Sequence, residues 1–148
     1  MKNNQQSGFT LIEILVVIGM IALLATIVII AINPARQFAQ SRNAQRTSNV
    51  NTLLNAIGQN IADNKGVITC SGITTTAKNI GTGSGLVDLS SCLVPTYIPS
   101  AIPFDPTSGS AADTKYTIVV DANGRYTICA PNGAESAISG SSAICVTR

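Results

Sequence analysis

The sequence predicts an α+β protein in which a long, bent N-terminal helix packs on a small antiparallel β-sheet head closed by two disulfides. Three observations predict it. From Phe9 to Ile32 the chain is apolar, interrupted only by Thr10, Glu13, Gly19 and Thr26. Val50, Leu53, Leu54, Ile57 and Ile61 then recur at helical spacing and form one apolar face. Beyond Val67 the composition shifts to Gly, Ser and Thr with short β-rich runs, and all four cysteines fall there.

The first element is the apolar helix. Ile14 to Ile32 is an uncharged run of 19 residues. At about 1.5 Å per residue it nearly matches the roughly 30 Å hydrocarbon layer of a bilayer. A secretory signal peptide has a shorter apolar stretch that ends in a small-residue cleavage site. Here the small residue, Gly8, precedes the apolar run. One helix is expected from about Phe9 to Asn64, with Gly19 and Pro34 as its breakers and a bend near Pro34. Asn33-Pro34 reads either as a point that loosens on assembly or as ordinary punctuation at a membrane exit. Asn64-Lys65-Gly66 reads as a helix stop, with a late cation and a glycine able to take the left-handed conformation. The expected divisions are residues 1–8, 9–32 as the apolar helix, 33–66 as its amphipathic half, and 67–148 as the head. Arg36, Arg42 and Arg46 read as contacts to anionic lipid, as partners for acidic groups on a neighbouring copy, or as a solvated helix face.

The head supplies the remaining elements. An even set of cysteines, Cys70, Cys92, Cys129 and Cys145, placed only after the apolar span indicates disulfides in an oxidising compartment. Three pairings are possible, of which Cys70–Cys92 with Cys129–Cys145 is the simplest. Residues 73–85 are rich in Gly, Thr and Ser and need a crosslink for order, and the proline-rich stretch from Leu93 to Pro106 is expected to cross the sheet in extended form. Lys115–Val120 and Arg125–Cys129 flank Asp121-Ala122-Asn123-Gly124, a hairpin signal, and residues 143–147 suit an edge strand.

Composition narrows the function. A formal net charge of +2, spread along the chain, gives no electrostatic footprint for a nucleic acid. With no histidine, the commonest general base and metal ligand are missing, and no nucleophile elbow, phosphate loop or paired acid motif is visible. The chain is therefore read as a non-enzyme without a cofactor. The cysteines lack the close pairs of a zinc site. Asp121 and Asn123 resemble a fragment of a calcium loop but lack its spaced acidic set and later glutamate, so a turn is the first reading and calcium a weak one.

Gly8 followed by Phe9-Thr10-Leu11-Ile12-Glu13 resembles the class III signal of type IV pilins and pseudopilins, a likeness confined to about residues 7–32. The resemblance implies a leader, residues 1–8, removed by a prepilin peptidase after Gly8, with N-methylation of the new terminus at Phe9. It implies that Glu13, a carboxylate in an apolar helix, meets the terminal amine of a neighbouring subunit; a pairing with Phe9 of the same chain is equally allowed by their spacing. The implied partners are further copies in a homopolymer, the peptidase, an inner-membrane assembly machinery and, before assembly, membrane lipid. The implied location is the inner membrane, as a single-pass protein with the head outside, and then an extracellular filament. Lys2 before the span against Arg36, Arg42 and Arg46 after it runs contrary to the positive-inside tendency, whereas the cysteines favour an outside head. The leading expectation is a type IV pilus subunit. The alternatives are a type II secretion or competence pseudopilin and, from a different class, a membrane-anchored binding domain that does not polymerise.

Overall fold

The computed structural model describes residues 8–148; the expected leader, apart from Gly8, lies outside the described residues. The chain divides between Gln37 and Phe38 into two compact units.

In the first, α1 (Leu11–Ile32) is, among the described residues, the one helix long and apolar enough to cross a membrane, and none of its residues is buried. Helix α2 (Pro34–Asp63) starts one residue later. The expected continuous helix is thus interrupted, and the residue that breaks it is Asn33, with φ 47° and ψ 80°. Pro34 crowds the residue before it out of the right-handed helical region, and asparagine tolerates the left-handed one. Asn33 then caps α2: its carbonyl accepts the N–H groups of Arg36 and Gln37 at 3.1 and 3.3 Å. Pro34 sits at the first helical position, where a missing N–H leaves no bond unmade. Gly19 does not act as a breaker, because α1 runs through it without interruption. A single glycine weakens a helix by only about 1 kcal/mol relative to alanine.

In the second unit, α2 ends at Asp63, where Lys65 and Gly66 take φ values of 57° and 88° and the Gly66 N–H reaches back to the Ile61 carbonyl at 2.8 Å. Its apolar stripe is buried as expected: Val50, Leu53, Leu54 and Ile57 belong to the core and Ile61 packs against it. Four antiparallel strands lie in the order β1 (Lys78–Asn79), β2 (Thr117–Val120), β3 (Tyr126–Ala130) and β4 (Ile144–Thr147). Ile118, Ile128 and Val146 share one cross-strand row. With Tyr116 and Ala130 they bring the inner face of the sheet into the core shared with α2.

The Leu93–Pro106 crossing departs from expectation. It opens on a short helix, α3 (Ser90–Leu93), and continues through turns instead of an extended strand, burying Leu93 and Ile98. The Asp88 carboxylate starts that helix by accepting the Ser90 N–H at 2.8 Å. The Gly-rich stretch is ordered by close backbone approach. A Cβ on Gly81 would collide with the Ala112 carbonyl oxygen, so only glycine fits there.

Both disulfides form, Cys70–Cys92 and Cys129–Cys145, with Cα separations of 5.2 and 4.1 Å. Cys129 and Cys145 are register partners across β3 and β4. Tyr126 and Arg148 exchange both backbone hydrogen bonds, so the cysteine pair falls on the alternate, non-hydrogen-bonded position, where side chains stand closest.

Candidate functional site

The N-terminal site is assembled within six residues. Thr10, at φ −82° and ψ 150°, is extended and caps α1. The Thr10 Oγ1 accepts the Glu13 N–H at 3.3 Å, and the Glu13 Oε2 accepts the Thr10 N–H at 2.8 Å and the Thr10 hydroxyl at 2.9 Å. This is a complete capping box, which satisfies two of the N–H groups that a helix start leaves unpaired. Glu13 is thereby held in the first turn, where the helix dipole favours negative charge. The box also sets where the helix begins. The Gly8–Phe9 peptide bond precedes it, Phe9 is 85% exposed, and nothing crowds the Gly8 Cα. An amine created at Phe9 would be a cation four residues before the Glu13 carboxylate, just outside the helix. Thr10 is not among the expected site residues, although Thr-x-x-Glu ahead of an apolar run carries the capping signal.

The family described as the prokaryotic N-terminal methylation motif matches residues 3–32. The chain carries the N-terminal methylation motif. Neither the comparison with curated proteins nor that with solved structures gives a match. The methylation motif, followed by an apolar helix with a capped acidic residue, supports a type IV pilin-like or pseudopilin precursor. It suggests a structural protein and not an enzyme, and it implies, in general terms, prepilin peptidase processing and polymerisation. The motif and α1 also fit membrane anchoring followed by assembly.

Beyond the methylation motif, the structure reassigns two of the three arginines. Arg46 is 1% exposed and reaches four side chains. Its Nε donates to Asp105 Oδ2 at 2.6 Å, Nη1 to Glu135 Oε1 at 2.5 Å and to Asn43 Oδ1 at 2.9 Å, and Nη2 to Thr107 Oγ1 at 2.6 Å. Arg42 grips Glu135 with two bonds of 2.7 Å. Arg46 is therefore no contact for lipid or for a neighbouring copy, and Arg42, half-buried, is already paired within the chain. Together they tie α2 to the Asp105 turn and to the loop after β3. The signal available in sequence was weak, because Asp105 and Glu135 lie 59 and 89 residues from Arg46.

The two arginines depress both carboxylates. Glu135 falls from 4.5 to about 2, chiefly through its hydrogen bonds to Arg42 and then Arg46. Asp105 is pushed well below the usual range even though its burial opposes this, because the Arg46 guanidinium and the N–H groups of Thr107 and Ser108 outweigh desolvation. A carboxylate with a depressed folded value contributes stability above its ordinary value and loses it as pH falls toward the folded value. The head is therefore expected to lose thermal stability progressively from about pH 4.5 down to about pH 2. Glu135→Gln should flatten that decline in a melting series followed by circular dichroism; an unchanged slope would mean that other carboxylates carry it.

Asp121 forms a turn. Its Oδ1 accepts the N–H groups of Asn123 and Arg125, both at 2.8 Å, and its Oδ2 accepts the Arg125 Nε at 2.9 Å. Both oxygens are thus engaged within the hairpin, and Asn123 contributes its backbone. Among the described residues no group of three acidic, histidine or cysteine side chains is placed to hold a metal ion.

Proposed function

We propose that the chain is a structural subunit of a type IV pilus: residues 1–8 are removed after Gly8, Phe9 becomes the N-methylated terminus, and the apolar helix serves first as a membrane anchor and then as filament core. The observation that carries this is an apolar helix with no buried residue in the single chain, directly preceded by a non-helical, accessible Gly8–Phe9 bond. Such a surface needs lipid or other helices around it. Residues 33–66 link it to the head, 67–148 complete the head, and the assembly machinery of the inner membrane extracts the subunit. Glu13 sets register in the assembled state, since a carboxylate inside an apolar bundle disfavours every neighbour alignment that leaves it without a positive partner. In the stored subunit the Thr10 N–H and hydroxyl satisfy it instead.

Intact mass of sheared extracellular filaments tests the reading. The expected dominant species runs from methylated Phe9 to Arg148 with four fewer hydrogens, for two disulfides. A side chain at position 8 meets nothing in the chain itself, so Gly8→Leu should leave the fold intact and, where cleavage requires the glycine, full-length chain in the membrane and no filaments. Uncleaved wild-type chain found only in membranes would leave a membrane-anchored domain, whereas processed chain confined to the envelope would point to a secretion pseudopilin.

A further inference from the structure

The head contains two Asn-Gly pairs, Asn123-Gly124 and Asn132-Gly133. In such a pair the glycine amide nitrogen can attack the asparagine side-chain carbonyl carbon. The C–N bond to the side-chain amide breaks, ammonia leaves, and a five-membered succinimide remains; water then opens either carbonyl to give aspartate or isoaspartate. A side chain on the following residue hinders the attack, which is why glycine is the permissive neighbour. The sequence does not distinguish the two pairs, and the structure does.

We infer that Asn123 is a site of spontaneous deamidation in the folded head and that Asn132 is protected. Ring closure requires the Asn–Gly peptide to rotate toward the asparagine side chain. At Asn123 that rotation breaks little. Asn123 is exposed at the tip of the β2–β3 hairpin, and among the described residues its side-chain amide has no hydrogen-bond partner. Gly124, at φ 78°, has open space around its Cα. The bond that must open, from the Gly124 N–H to the Asp121 carbonyl at 3.0 Å, lies in an exposed turn.

At Asn132 the same rotation disrupts a packed corner. Residues 131–133 form a 3-10 turn begun by Pro131, and the Asn132 amide donates to Ser108 Oγ at 3.1 Å. Gly133 is buried, and its carbonyl accepts the Asn43 amide at 2.9 Å. A Cβ there would lie 2.8 Å from Ile144 Cγ1 and 3.0 Å from the Ser142 carbonyl oxygen, so the backbone has no room to turn. The product at position 123 lowers the formal net charge of +2 by one and sets a second carboxylate two residues from Asp121. The isoaspartate form also adds a methylene to the turn backbone. The ladder that pairs Thr117–Val120 with Tyr126–Cys129, and the Tyr126–Arg148 pair on the far edge of β3, hold the strands in register beneath it.

The test ages the full chain in detergent at mildly alkaline pH, alongside the same chain reduced and denatured. Trypsin separates the two sites, because Asn123 lies between Lys115 and Arg125 and Asn132 between Arg125 and Arg148. Each peptide is followed for the one-unit mass gain, with fragmentation that distinguishes isoaspartate. In the folded chain Asn123 is expected to convert on the order of tenfold faster than Asn132, a ratio that collapses toward unity on denaturation. Asn123→Gln should abolish the gain in its own peptide and leave the other unchanged. Equal or reversed folded rates would overturn the inference, as would protection of both sites in the folded chain and conversion of both in the denatured one.

Discussion

Arg46→Met is expected to destabilise the head by about 3–5 kcal/mol, the loss typical of removing one member of a buried charge pair. The native guanidinium is fully enclosed and compensates an Asp105 carboxylate that is itself 1% exposed. Methionine fills much of the volume but donates nothing. Asp105 keeps the N–H groups of Thr107 and Ser108, at 3.0 and 3.2 Å, and loses its cation. Glu135 keeps Arg42. The damage should therefore centre on Asp105, and adding Asp105→Asn to Arg46→Met should recover part of the loss, with a coupling of about 1–3 kcal/mol in a double-mutant cycle. Urea unfolding of the detergent-solubilised chain, followed by near-ultraviolet circular dichroism, reads both quantities. A loss below about 1 kcal/mol would show that the pair is no more important than an exposed one.

Removing the Cys70–Cys92 bridge by Cys70→Ala with Cys92→Ala is expected to weaken the head by about 3 kcal/mol through the unfolded chain, since the bridge closes a 22-residue separation. A packing loss adds to this, because Cys70 is part of the core beside α2. The enclosed segment contains β1 and the Gly81 approach to Ala112, whose own regular pairing is only two residues long. By contrast Cys129–Cys145 joins strands already paired over four positions, and Cys145 is exposed. The first double variant should thus show the larger drop in denaturation midpoint and new amide exchange over residues 71–91. An equal drop for both pairs would leave loop closure as the whole effect.

The sequence by itself determined the features that rest on local chemistry. The apolar run after Gly8, the Val50–Ile61 stripe, the Asn64-Lys65-Gly66 stop and the Asn-Gly hairpin each depend on residues a few positions apart, and each is found where those residues predict it. The methylation motif is legible for the same reason, since all of it lies within residues 3–32. Thr10 was legible too, because a capping box spans only four residues.

Tertiary structure decided whatever depended on distant partners. Cysteine pairing had three solutions in sequence, and the β3–β4 register selected among them by bringing Cys129 opposite Cys145. Arg42 and Arg46 looked like surface cations until the fold delivered Asp105 and Glu135 to the same helix face. Two identical Asn-Gly pairs became different because one lies in an open turn and the other under Ile144. The physical reason is common to all three. A local pattern fixes backbone conformation through neighbours in the chain, whereas burial and charge pairing are fixed only when segments remote in sequence are packed together.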